Sequence, residues 1–101
     1  MLNSKQRAYL RALANPIDTI LIVGKGGIDA DVVRQAEDAL TARELIKGKV
    51  LETAPVSPRE AADQIASQTS SETVLVIGSK FVLYRKNDKE PKIVLPKARK
   101  K

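Results

Sequence analysis

Three glycines within four positions, Gly24-Lys25-Gly26-Gly27, are the residues of this 101-residue chain whose types and spacing point most directly to chemistry. Glycines let backbone amides approach a ligand without obstruction by Cβ, and a helix N-terminus after them favours anions through its free N–H groups and dipole. Lys25 adds a positive charge at the tip of the loop. The pattern is not the GxxxxGK[ST] of nucleotide-binding loops. It also departs from the dinucleotide GxGxxG, because Asp29 stands where the third glycine belongs. Asp29 and Asp31 bring negative charge to the helix start, so an anion here must use the loop amides and Lys25 rather than the helix end. The alternative reading is a tight strand-to-helix turn that needs positive φ angles, and the residues alone leave both open.

Composition narrows the chemistry further. The chain has no His and no Cys, which removes thiol and imidazole catalysis, Ser-His-Asp triads, disulfides and Cys/His zinc sites together. The remaining candidates do not assemble: Glu37 and Asp38 are adjacent on a helix and diverge, Asp29 and Asp31 are helix-start residues, and Ser79 beside Lys80 sits in a turn. We therefore expect no enzyme activity, cofactor, metal or small-molecule substrate. Eighteen Lys and Arg against twelve Asp and Glu give a net charge of +6 and a pI near 9.8, which indicates a polyanionic partner, nucleic acid ahead of a membrane surface. The longest apolar stretch, Ile20 to Val23, is far shorter than the ~20 residues a bilayer demands, and MLNSKQRAYL lacks the apolar run of a signal peptide. The expected protein is a cytoplasmic monomer without a membrane partner.

The elements that must position the glycine loop follow from local signals. Residues 3 to 14 read as a helix, with Asn3 and Gln6 spaced as a capping box and an apolar stripe of Tyr9, Leu10 and Leu13; Asn15-Pro16 stops it. Ile17 to Val23 is a β-branched apolar strand ending at Gly24. Asp29 caps a helix running to about Arg43, with Val33, Ala36 and Leu40 on its apolar side and Ile28 and Val33 as a hydrophobic staple. Leu45 to Leu51 alternates, Ile46, Gly48 and Val50 pointing one way and Lys47 and Lys49 the other. Ser57-Pro58-Arg59-Glu60 opens a third helix by a capping box with proline at its first position, and this helix ends near Thr69. Thr73 to Ile77 and Phe81 to Arg85 form a hairpin around Gly78-Ser79-Lys80. A polar loop, a short strand around Ile93 to Leu95 and a mobile basic tail, Lys97 to Lys101, follow. The order α-β-α-β-α-β-β implies a single α/β domain over residues 1–96, a four-stranded mixed sheet with packed helices.

Charge by segment is +2 for residues 1–23, −1 for 24–55, −2 for 56–79 and +7 for 80–101. Arg7 and Arg11, four apart, share one helix face. With Lys25, Lys47, Lys49, Arg85 and Lys86 they are expected to offer several phosphate contacts on one surface, although strand lysines also serve to discourage edge-to-edge aggregation. The aromatics are Tyr9, Phe81 and Tyr84. With Tyr9 and Phe81 assigned to the core, an aromatic platform for single-stranded bases is not expected, and recognition by backbone and shape is preferred over base reading.

Four stretches in order resemble the single-domain bacterial CRM (YhbY-like) proteins: Leu2 with Lys5-Gln6-Arg7 and Leu10-Arg11; Val23-Gly24-Lys25-Gly26-Gly27 as a GxxG loop; Glu44-Leu45-Ile46-Lys47; and Val76-Ile77-Gly78 through Leu83-Tyr84-Arg85. The resemblance covers about residues 2 to 96. It implies a fold similar to the C-terminal domain of translation initiation factor three and RNA binding centred on Gly24, Lys25, Gly26 and Gly27, with Lys5, Arg7 and Arg11 of the first helix as further contacts. It also implies rRNA and the precursor of the large ribosomal subunit as partners, in an assembly role. Gly48 departs from the larger apolar residue expected after the ELIK-type stretch and questions the packing of that strand. A translation factor acting on mature subunits and a basic adaptor for acidic proteins remain the rival readings.

Overall fold

A computed structural model describes residues 2–87 and residue 93. Each of its three helices starts at a side-chain cap. In α1 (Ser4–Ala14), Asn3 Oδ1 accepts from the Gln6 amide at 2.8 Å and Gln6 Oε1 accepts from the Asn3 amide at 3.1 Å. In α3 (Pro58–Thr69), Ser57 Oγ and Glu60 Oε1 make the same reciprocal pair at 3.1 and 2.9 Å. In α2 (Ala30–Arg43), Asp29 Oδ1 accepts from the Val32 amide at 2.9 Å. Such caps satisfy amides that have no partner inside the helix.

The strands are β1 (Thr19–Val23), β2 (Leu45–Val50), β3 (Glu72–Ile77) and β4 (Lys80–Tyr84), in the sheet order β1-β2-β4-β3. β1 runs parallel to β2 through the α2 crossover, and the other pairings are antiparallel. The α/β architecture, the element order and the mixed four-stranded sheet are those expected from the sequence.

Helices cover the sheet on both sides, and unequally. On one face Leu21, Val23, Ile46, Val50, Phe81 and Leu83 pack under Val32, Ala36 and Leu40 of α2 and Ala61, Ala62, Ile65 and Ala66 of α3. On the other, α1 alone lays Leu10 and Ala14 against Leu45, Val74, Val82 and Tyr84. Eleven residues of helix span only ~16 Å, so the ends of β2, β3 and β4 beyond it stay uncovered.

Several local readings change. Val32 rather than Val33 joins Ala36 and Leu40 in the buried stripe of α2, because steps of four from Leu40 reach 36 and 32. Tyr9 is 39% exposed while Leu10 is fully buried; adjacent helix positions lie ~100° apart, so the two cannot face one core. The hairpin turn holds two residues, Gly78 and Ser79, and Lys80 is the first residue of β4. Gly78 has φ +58°, and positive φ at the first turn position matches the twist of the flanking strands. Gly48 stands opposite Phe81, and a Cβ there would lie 2.3 Å from the ring's Cζ. The missing side chain is the space the buried ring occupies. Of the expected strand at 93–95 only Ile93 lies among the described residues, and the tail 97–101 lies outside them.

Candidate nucleic-acid interface

The glycine loop closes on itself where β1 ends. The Gly27 amide donates to the Gly24 carbonyl at 2.9 Å, leaving exposed Lys25 and Gly26 at the tip. Gly27 has φ +69°, and a Cβ there would press on Pro55 at 3.0 Å, so the turn itself requires this glycine. Gly24 and Gly26 are different. Neither has positive φ, and a Cβ would meet only ordinary contacts, Leu51 at 3.5 Å and the Asp29 carboxylate at 3.4 Å. The fold does not demand glycine at those two positions; close approach by another molecule would. Asp29 Oδ1 takes the capping bond from the Val32 amide while its other oxygen stays beside Gly26, so an anion here must be met by Lys25 and by loop amides other than that of Gly27, which the turn uses.

Strand register builds the rest of the site. Ile22 of β1 pairs with Lys49 of β2, Lys49 with Lys80 of β4, and Lys80 with Ile77 of β3. Residues directly opposite point to the same face, so Ile22–Lys49–Lys80–Ile77 forms one transverse row on the α1 side of the sheet. The row lies two residues before the glycine loop, at the end where β1 and β2 finish. It is open: Ile22 is 49% and Ile77 65% exposed. Lys47 lies two residues along β2 on the same face, about 7 Å away by strand rise. Arg11 and Asn15 bring the end of α1 to its side, where Lys47 Nζ donates to the Asn15 carbonyl at 3.5 Å. Together Arg11, Asn15, Lys47, Leu75, Ile77 and Lys80 line a groove of about 130 Å³.

The structure thus brings together the loop, Lys47, Lys49 and Arg11, and adds Lys80, which the sequence reading left in a turn. Once the turn is two residues long, alternation from Val82 places Lys80 on the lysine face. The sequence reading expected Arg7 and Arg85 among the phosphate contacts, and the structure engages both guanidiniums within the protein. Arg7 is half-buried, donating to the Thr73 carbonyl at 2.7 Å with Glu72 at 3.8 Å, and ties α1 to β3. Arg85 reaches back to the helices, donating to Glu37 Oε2 at 2.7 Å, the Thr69 carbonyl at 2.9 Å and Thr41 Oγ1 at 2.7 Å. Both guanidiniums have internal acceptors. Lys5 is exposed with Tyr9 on one flank of α1, about 120° around the axis from Arg11.

A residue that motif reading carried without a role is Glu44. It is fully buried, with φ +67°, and its carboxylate accepts from the Asn87 amide at 2.6 Å and the Ile93 amide at 2.7 Å. Its own carbonyl accepts from the Arg85 amide. A non-glycine residue in this conformation costs about 1–3 kcal/mol, and charge-assisted bonds to two amides offset it. Glu44 therefore fastens the chain beyond β4 onto the α1 side of the core. Its signature in sequence is no more than an acidic residue at a helix end, so nothing local marks it.

A larger cleft of about 260 Å³ opens at the other end of α1, lined by Leu2, Gln6, Glu72, Tyr84, Arg85 and Lys86 among others; it sets one carboxylate beside two cations, of which Arg85 already has acceptors within the protein. Among the described residues, no helix is long and apolar enough to cross a membrane and no group of three or more candidate ligands could hold a metal ion.

The chain is 36% identical over 96 residues to the Bacillus subtilis protein named Probable RNA-binding protein YqeI, covering 95% of this chain and all of that one. It is 33% identical to a Haemophilus influenzae protein named RNA-binding protein, over 95% of this chain and 96% of that one. The solution structure of the Staphylococcus aureus protein SAV1595, put forward as an RNA-binding protein, superimposes with a TM-score of 0.80 at 45% identity, over 95% of this chain and all of that one. The model of the CRS1/YhbY (CRM) domain matches residues 2–85. Matched by that model over most of its length, and more than 30% identical to relatives that it covers almost completely, the chain belongs to the CRS1/YhbY (CRM) domain family.

Proposed function

We propose that this protein binds structured rRNA through its phosphates, without catalysis, and assists assembly of the large ribosomal subunit. The RNA-binding domain extends over residues 1–96 and carries a basic tail at 97–101. The observation that carries the reading is the sheet face on which Lys49 stands directly opposite Lys80 with Lys47 beside them, next to a loop whose Gly24 and Gly26 the fold itself does not require. Like charges directly opposite are unfavourable in a free sheet, and a phosphate backbone relieves that repulsion while releasing counterions. The names of the relatives support RNA as the polyanion. The ribosomal role rests on the chain's resemblance to the bacterial CRM proteins, which implies precursors of the large ribosomal subunit as partners.

Gly26→Ala tests the loop. At a compatible φ, alanine raises stability by about 0.4–1 kcal/mol through the unfolded chain, so the variant should melt no lower than the wild type and bind RNA more weakly. Lys25→Glu should weaken binding further at matched salt. Undiminished affinity in both variants would remove the loop from the interface. Sedimentation of a low-salt lysate tests the larger role: co-migration with precursors of the large subunit, lost on a salt wash, is the expected result. Co-migration with mature small subunits would instead make it a translation factor.

A further inference from the structure

The groove beside the lysine row has a composition that a paired RNA backbone does not use. Its charged members are Arg11, Lys47 and Lys80, with no carboxylate among the lining residues, and its remaining wall is largely apolar, including Leu75, Ile77 and Val82. Ile77 is the most exposed large apolar residue in the described part of the chain. Phosphate contacts alone would leave that side chain in water. A duplex offers phosphates and 2′-hydroxyls across a broad surface, whereas this groove is narrow and lies between the end of α1 and the sheet.

Building on the RNA-binding reading, we infer that the groove takes one unpaired nucleotide of the bound RNA, its phosphate among Arg11, Lys47 and Lys80 and its base laid against Ile77 and Leu75. A base turned out of a helix needs an apolar wall for its face and polar groups for its edge; the Asn15 side-chain amide at the rim has both a donor and an acceptor. The cations argue against a second copy of this chain as occupant, since it would set lysines against lysines. The proposal adds a preference for bulged or unstacked nucleotides to a surface otherwise expected to read shape and backbone.

The test compares two blunt RNA duplexes that differ by a single bulged nucleotide, titrated against the full chain at fixed salt. Wild type should prefer the bulged duplex by about tenfold. Ile77→Ser should erase that preference, lowering affinity for the bulged duplex about tenfold more than for the paired one. Because Ile77 is exposed, this variant should fold, and its melting curve checks that. Ile77→Thr keeps the branched β carbon and should show the same loss. Equal affinity of the wild type for the two duplexes, with RNA binding intact, would overturn the nucleotide site and leave the phosphate interface standing. So would a preference that survives Ile77→Ser, or displacement of the bulged RNA by an equally charged acidic peptide that Ile77→Ser also stops binding. Failure of the wild type to bind either duplex would overturn the RNA reading and this inference together.

Discussion

Along the helices that cover one side of the sheet, Arg34 meets Asp31 at 2.8 Å, Arg59 meets Asp63 at 3.3 Å, and Arg85 crosses to Glu37 at 2.7 Å. On the other side α1 contributes Lys5, Arg7 and Arg11 and no acid, and the sheet contributes Lys47, Lys49 and Lys80. Arg7 leans on Glu72, but none of the three sheet lysines has an acidic partner among the described residues. The first layer neutralises its charges locally, at little gain for exposed pairs. The second stores uncompensated charge at some cost to the free domain. A surface kept that way is organised for a ligand that brings the missing charge.

The comparison breaks first if the sheet cannot hold its register. Gly48 points into the helix-covered face under Phe81, while its neighbours Lys47 and Lys49 point out of the other. Gly48→Val should cost about 3 kcal/mol in urea unfolding, because the ring that must move is itself fully buried and overpacked cores relax poorly. An unchanged midpoint would show that the ring has room to swing aside and that the glycine is not what holds the lysine row in line.

The sharper test changes charge equally on the two sides. Lys47→Glu with Lys80→Glu, and Arg34→Glu with Arg59→Glu, each replace two positive charges by two negative ones and take the formal net charge from +6 to +2. The first pair should lower RNA affinity by about 100-fold near physiological salt and flatten the slope of log K against log salt by about 2. The second should change affinity less than about threefold. Equal losses in the two pairs would mean that net charge, rather than its placement, does the binding, and the distinction between the faces would fall.

How far this asymmetry can be read from sequence depends on the range of the interaction. Asn3 with Gln6, Asp29, and Ser57 with Glu60 cap their helices within three residues, so the helix starts are legible. Lys47 and Lys49 alternate against Ile46, Gly48 and Val50, so their shared face is legible too. Arg7 and Arg85 look like further members of the same surface until the Thr73 carbonyl and Glu37, 66 and 48 residues away, claim them. Lys80 was obscured by a turn one residue shorter than expected, since one residue of register decides the face of a strand residue. Tyr9 cannot share the buried face of its neighbour Leu10, and Glu44 carries no local sign of its role because its partners are amides more than forty residues on.

If the facing lysines are held against their own repulsion, removing one should separate stability from binding. Lys80→Thr replaces an exposed lysine opposite Lys49 with a good strand former. The free domain should gain a few tenths of a kcal/mol, up to about 0.5, while RNA binding weakens. The gain should shrink as salt rises and screens the pair. Loss of stability in Lys80→Thr at low salt would show that the row is not under electrostatic strain.

The smallest effect concerns the seal between α1 and the sheet. Tyr84 is buried there, and desolvation holds its phenol above the ordinary value of 10.0, with the carboxylates of Glu44 and Glu72 pushing the same way. A raised pKa means that the folded state holds the phenolic proton more tightly than the unfolded chain does. The stability this contributes is complete below the unfolded value and is lost as pH climbs through 10 towards the folded value. Wild type should therefore lose more stability than Tyr84→Phe between about pH 9 and 11, and the two should run parallel below that range. Lysines deprotonate over the same interval, but in both proteins, so the difference between the curves isolates the phenol. Parallel curves throughout would mean that water reaches Tyr84, and that α1 does not shield this end of the sheet as it leaves the lysine row exposed at the other.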